Sequence, residues 1–561
     1  VTNSGNIVAF RGNGIGNAFA QGPYTIDVNN LAGALISSTN NTTIVGPNGW
    51  TWTVRNAGTI STGRGAAQAA ILWGNGADRL TIEPSSSIIG FVDAGGGVDT
   101  LGLGGANTSG TFDLAQIGTQ YRNFDAFEKT DSGKWTLTGS GAQPWSLTGG
   151  TLVVDGGATV SGAITNPASA SAPVALQVLG TVGPTTGDAV IINGSGASQV
   201  MVEPGGVVRS TVHVNSPGSA VVTNRGSIGG GSGNSVFFES GNNNTLVLET
   251  GMVLNGNVVS GTPTGNNVVL NGSATTGVNF AGSAAGNGFG SITMQGTSWG
   301  LSGNSTITGT APDALSVKSG TLVLTGTATN SGGTTIANGA TLQLGNNTAT
   351  GMVTGNIVDN GTLTFHRSDD VTYAGVVSGT GSLTQAGPGT TILASANTYT
   401  GATAVNAGTL RVNGSTASGT TTVASGATIG GIGTIGGSVA VNDGGRFAPG
   451  NGPGTLTIAG NLAFAPTSQL DHEFGQADVP GGPLNDLANV GGNLTLDGAL
   501  NVAVPVGGSF GGGVYRVFNY AGALTNNGLE FGTVPAGLTP NIDLLVQTSG
   551  AKQVNIVNKA G

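Results

Sequence analysis

The sequence predicts an all-β protein: a single long right-handed parallel β-helix, or β-solenoid, of roughly 25 turns with a few loop insertions. Two observations predict it. Short Val, Ile and Leu alternations bounded by Gly and Asn recur along the whole length, and apolar anchors recur at a spacing near 20 with no helical pattern between them. The anchors Leu322, Leu342, Leu363, Leu383, Leu410, Ile429 and Leu456 carry that spacing; two intervals of 27, Leu383 to Leu410 and Ile429 to Leu456, read as loop insertions.

Two further signatures extend the solenoid. Leu80, Ile82, Glu83, Pro84, Ile88, Gly90 and Val92 recur as Val200, Val202, Glu203, Pro204, Val208, Ser210 and Val212, and again, with changes at the corner, as Leu246, Leu248, Glu249, Thr250, Leu254, Gly256 and Val258. Val-x-Asn-x-Gly-x-Ile occurs from Val1, Val54 and Val222, so the repeat starts at the first residue. Asn and Gly there are expected to supply a positive-φ corner, and stacked Asn side chains to form ladders. Trp135, Trp145 and Trp299 each precede a Leu in a Trp-x-Leu-x-Gly pattern, which reads as core packing rather than a glycan-stacking row.

Composition narrows the chemistry. Of 561 residues 105 are Gly, only 7% are charged, and 26 acidic against 16 basic residues leave a net charge of −10. That balance argues against a nucleic-acid partner. The absence of Cys removes disulfides, thiolate metal sites and a Cys nucleophile. No stretch has the length and apolarity of a membrane helix, so direct membrane insertion is not expected.

Only His213, His366 and His472 can act as imidazole bases. Asp131-Ser132-Gly133 resembles a chymotrypsin-type nucleophile and Gly296-Thr297-Ser298 a subtilase one, but both lie inside repeat copies and read as structural. Glu83, Glu203 and Glu249 are too far apart along the coils to converge as a glycosidase pair and read as corner residues. Asp93-Ala-Gly95-Gly-Gly97-Val-Asp99-Thr-Leu101 is close to a calcium-binding nonapeptide, yet such sites form between adjacent repeats and the following residues do not continue the register. His472, between Asp471 and Glu473, reads as a residue of a solvated loop rather than a metal ligand. No catalytic, cofactor-binding or metal-binding residue is therefore assigned, and no cofactor is expected.

The segment Gly379-Thr-Gly-Ser-Leu383-Thr-Gln-Ala-Gly387-Pro-Gly389-Thr-Thr391-Ile-Leu393, continuing through Asn397-Thr-Tyr399-Thr-Gly401 to Val405-Asn-Ala-Gly408-Thr-Leu410-Arg-Val412-Asn-Gly414, resembles the autotransporter-associated β-strand repeat. Phe124 to Gly139 resembles a degenerate copy of its first half. Phe447-Ala-Pro449-Gly-Asn451, Thr455-Leu456-Thr-Ile458 and Leu494-Thr-Leu496-Asp-Gly498 resemble passenger ends. The resemblance implies a passenger stem over 1–419 and a C-terminal β-helix end over 420–561 similar to an autochaperone region, with signal peptide and membrane barrel absent from this chain. It implies export past an outer-membrane barrel, which is a partner during transit, and display at the bacterial cell surface or release from it.

The expected function is that of a non-enzymatic adhesin binding a host glycan, protein or abiotic surface, or another copy of itself in autoaggregation and biofilm, through extended polar faces. A soluble released effector binding a host receptor is the second reading, and a polysaccharide-degrading enzyme the third.

Overall fold

The computed structural model describes residues 1–9, 13–16, 23–229, 233–241, 243–262 and 265–560. The chain divides into two compact units, residues 1–269 with 278–289, and residues 270–277 with 290–561. Each is a parallel β-solenoid whose short strands pair with equivalent strands of the coils before and after. Among the described residues the only helical turns are Gly65–Ala67 and Leu114–Gln116, three residues each. The expected all-β parallel solenoid is what forms.

In the first unit one side runs through strands Thr25–Asn30, Thr51–Asn56, Arg79–Ile82, Thr100–Leu103 and Ala126–Lys129. Thr25 pairs with Thr51, Thr53 with Arg79, Arg79 with Thr100 and Thr100 with Ala126, so successive coils are unequal. Of these coils the one from Arg79 to Thr100 comes close to the expected period and the rest are longer, whereas further on Lys129 pairs with Leu147 and Trp145 with Ile164 across shorter coils. Alternation within each strand sends Val54, Leu80, Leu101 and Phe127 inward, all buried.

In the second unit the expected period holds over the coils that follow Thr321. Leu322, Leu342, Leu363 and Leu383 stack in register and are fully buried. Each such side chain contributes roughly 2 kcal/mol of burial. The next residue in that column is Thr403. Leu410 instead begins beside Thr391 in a different sheet, followed by Ile429, Phe447 and Leu470, and Leu456 lies in a third. The two wider intervals are therefore changes of side, not loop insertions. A long coil comes later, where Leu462 pairs with Leu494 around the segment 474–486.

The Val-x-Asn-x-Gly-x-Ile motif specifies strand, corner and strand, but not which side of the coil they occupy. Thr51–Asn56 and Ala220–Asn224 carry the same motif in different sheets. Neither Asn56, Gly58, Asn224 nor Gly226 adopts positive φ, contrary to the expected corner. The glycine is required by clearance instead. A Cβ at Gly58 would lie 2.3 Å from the Ala34 carbonyl oxygen, and one at Gly226 2.4 Å from that of Glu203. The expected ladder does form: Asn3 Nδ2 donates to Asn30 Oδ1, and Asn30 Nδ2 to Asn56 Oδ1, at 2.8 Å each.

Late in the second unit parallel stacking gives way to antiparallel pairing. Strand Gly513–Tyr520 pairs antiparallel with Gln553–Asn558, which pairs antiparallel with Leu544–Gln547. The core beneath holds Phe447, Phe474 and Phe518 in ring contact with His472, and Phe464 against Phe447 and Phe518. His472 is not in a solvated loop. It occupies strand Gln469–Glu473, alternation turns it inward with Leu470, it is 1% exposed, and neither ring nitrogen has a partner. Burial pushes its pKa down to about 3.

This packing makes two testable demands. Gly58→Ala should destabilise the protein by about 1–3 kcal/mol because backbone must move. Gly157→Ala, where a Cβ meets nothing within 4 Å, should stay within about 0.5 kcal/mol; urea unfolding of the two variants checks the contrast. For His472 the folded pKa lies below the unfolded value of 6.5, so the unfolded chain binds the proton first and stability is lost as pH falls below 6.5. His472→Leu should remove about 2 kcal/mol of acid sensitivity between roughly pH 7 and pH 5, measured by denaturation at both pH values.

Candidate functional site

With so few charges, where they lie is informative. The first unit gathers them into ladders that cross coils. Arg55 donates through Nε to Glu83 at 2.5 Å and through a terminal nitrogen to Asp131 at 2.6 Å. The second contact reaches past the coil that carries Gly104, where a Cβ would lie 2.5 Å from Thr81 and 3.1 Å from the Asp131 carboxylate. Arg79 forms an ion pair with Glu128 on the same side. On another sheet Arg225 lies between Glu203 at 3.2 Å and Glu249 at 2.8 Å. The three recurring glutamates are thus corner residues that bind arginines of neighbouring coils. Part-exposed pairs of this kind contribute only about 0.2–1 kcal/mol each, but they neutralise the carboxylates that take part in them.

The imidazoles do not assemble a hydrolase. His213 Nδ1 lies 2.8 Å from Asp188 Oδ2 and its Nε2 2.8 Å from Glu239 Oε2, with the ring stacked on Phe237. The position a nucleophilic hydroxyl would need is held by a carboxylate. His366 sits in strand Thr362–Arg367, and His472 is enclosed by phenylalanines.

Asp131-Ser132-Gly133 is a corner in which Asp131 has φ 59° and accepts from Arg55 and from the Gly105 N–H. Behind it the fully buried Lys129 ammonium donates to the carbonyls of Thr130, Asp131 and Gly149, and burial pulls its pKa down to about 8. All three of its donors are used, so it is a clamp and not a nucleophile. Ser298 opens a strand, and the neighbouring Thr297 hydroxyl donates to the Gly272 carbonyl.

Trp135, Trp145 and Trp299 are all buried, as expected, with Trp135 Nε1 donating to Gly104 O and Trp299 Nε1 to Asn271 O. Of the outer surface, one shallow cleft of about 640 Å³ crosses successive coils between Thr130 and Gln199, lined by Thr, Ser, Gly, Ala and Pro. Its one carboxylate, Asp131, is engaged by Arg55. Such a surface can exchange hydroxyl and amide contacts with a neutral polar ligand; it has no spare acid–base pair.

The family model described as the passenger-associated transport repeat matches residues 127–161, 319–344 and 383–412. The chain is 42% identical over 201 residues, 35% of its length, to "Adhesin BmaC autotransporter" of Brucella suis biovar 1 (strain 1330), covering 6% of that protein. It is 36% identical over 124 residues, 21% of its length, to "Extracellular serine protease" of Serratia marcescens, covering 12% of it. The chain therefore spans a small part of each relative. Such relatives make it part of a cell-surface or secreted protein. The repeat matches fall on solenoid coils of both units, and over these segments the chain is similar to autotransporter passengers that carry passenger-associated transport repeats.

Proposed function

We propose that this passenger is a non-enzymatic adhesin, displayed at the bacterial outer membrane, that attaches to host or abiotic surfaces and to copies of itself through its neutral polar outer faces. The observation that carries the reading is the identity shared with an autotransporter adhesin over more than a third of the chain. The surface chemistry supports it. In the second unit Thr321, Thr341, Thr362 and Ser382 stack in register on the outer face, and the last two hydroxyls lie 3.2 Å apart. Arginine pairing in the first unit leaves little net field on those carboxylates, so approaching copies meet hydroxyl and amide rows with little repulsion. Residues 420–561, with their phenylalanine core, serve in this reading as the stable end from which coils propagate.

Expression of the passenger on a non-aggregating bacterium should produce cell clumping or binding to coated surfaces that is absent without it. Substituting Thr321, Thr341 and Thr362 together by Lys should reduce clumping several-fold while the folded β signal persists, since like charges then face each other. No change in either clumping or surface binding on display would refute the proposal.

A further inference from the structure

The sequence Gly95-Gly-Gly97-Val-Asp99 lacks a continuation in the residues that follow it, but the coil before it supplies one. Gly74-Asn-Gly76-Ala-Asp78 places Gly, Gly and Asp at the same three positions, one coil earlier. The fold holds the two loops in register: Gly96 N–H donates to Gly74 O at 2.8 Å, Asp78 N–H to Asp99 Oδ1 at 2.7 Å, and Arg79–Ile82 pairs residue by residue with Thr100–Leu103. Gly95 and Gly97 have φ of 81° and 126°, and a Cβ on either would lie about 2 Å from the carbonyl oxygen of Gly74 or Gly76. The glycines thus let carbonyl oxygens of one loop press onto the next.

Two carboxylates are buried at the edge of these loops. Asp78 is 2% exposed and Asp99 0%. Each uses Oδ1 to accept a backbone N–H of the preceding coil, Asp78 from Trp52 and Asp99 from Asp78, and Oδ2 of each has no partner. Asp125 continues the column on the next coil, exposed, and accepts the Asp99 N–H at 3.0 Å. The arginines nearest in sequence are committed elsewhere, Arg79 to Glu128 and Arg122 over the Phe91 ring. Buried anionic oxygens with no counter-charge require a proton or a cation.

We propose that the stacked Gly-x-Gly-x-Asp loops form a Ca²⁺ site between Asp78 and Asp99. Among the described residues no three acidic or His side chains converge on one point, so two carboxylates would be joined by loop carbonyls in an all-oxygen shell. That donor set and its irregular, backbone-built geometry suit Ca²⁺ and not the smaller, strictly octahedral Mg²⁺. Stacked glycine–aspartate repeats are a known way for parallel coils to hold this ion.

The test uses the whole purified chain, stripped with EDTA, and Tb³⁺ as the probe, with excitation of tryptophan. Trp73 immediately precedes the first loop and the Trp52 amide contacts Asp78, so bound Tb³⁺ should be sensitised. The expected result is emission that saturates near one ion per chain, is displaced by Ca²⁺ and not by equal Mg²⁺, and is accompanied by a higher Tm in Ca²⁺ than in EDTA. Asp78→Asn with Asp99→Asn should weaken Ca²⁺ displacement at least about tenfold; if that pair fails to fold, Asp99→Asn alone is the comparison. The proposal is overturned if the unmodified chain shows no Ca²⁺-displaceable emission and no Ca²⁺-dependent Tm, including the case where acidification alone raises Tm. A folded double variant that binds as tightly also overturns it.

Discussion

Hydrogen bonding between successive coils is the constraint on which everything else depends. Once each strand pairs with its counterpart about 4.8 Å away, every side chain acquires a neighbour of the same orientation directly above and below. Inward columns must then be apolar or internally satisfied, which is why Leu322, Leu342, Leu363 and Leu383 can stack without a gap. Corners must admit the carbonyls of the adjacent coil, which is why Gly58 and Gly226 carry no side chain.

The same repetition would stack like charges if the chain used many. It uses few, and sets some of them in columns where a basic side chain parts two carboxylates, Glu203, Arg225, Glu249 on one side and Asp188, His213, Glu239 on another, while Asp78, Asp99 and Asp125 make a column of one kind. Many polar groups that enter the core are paired, as in the amide ladder from Asn3 to Asn56 or the carbonyl cage around Lys129. His472, Asp78 and Asp99 are departures from that pattern. The histidine departs by remaining neutral among phenylalanines; a buried carboxylate must likewise be neutralised, by a proton or by a cation.

Much of the fold was legible because alternation and glycine placement are local properties. The parallel solenoid, the buried tryptophans, the corner glutamates and the amide ladder follow from patterns a few residues long. Register between coils is not local, and there the reading of spacing failed. Short and long coils are mixed in the first unit, as the turns from Arg79 to Thr100 and from Thr100 to Ala126 show. In the second, Leu383 to Leu410 looked like one lengthened turn when it was a move to another side. His472 was misjudged by its charged neighbours, although Leu470 two positions before it marks the inward phase. The companion of the Asp93–Leu101 segment lies before that segment, one coil earlier, and so is not found by looking for a continuation in the residues that follow it.

The recurrence of one strand–corner–strand motif on different sides of the coil has a hereditary consequence. A segment that carries its own corner clearance and inward phase does not depend on where around the coil it falls, only on having a neighbour of the same kind on each face. Unequal exchange between such segments in the gene can therefore add or delete a whole turn and leave the remaining turns paired as before. Length in this architecture is free to drift by steps of one coil, while substitution within a coil is held by the columns above and below it.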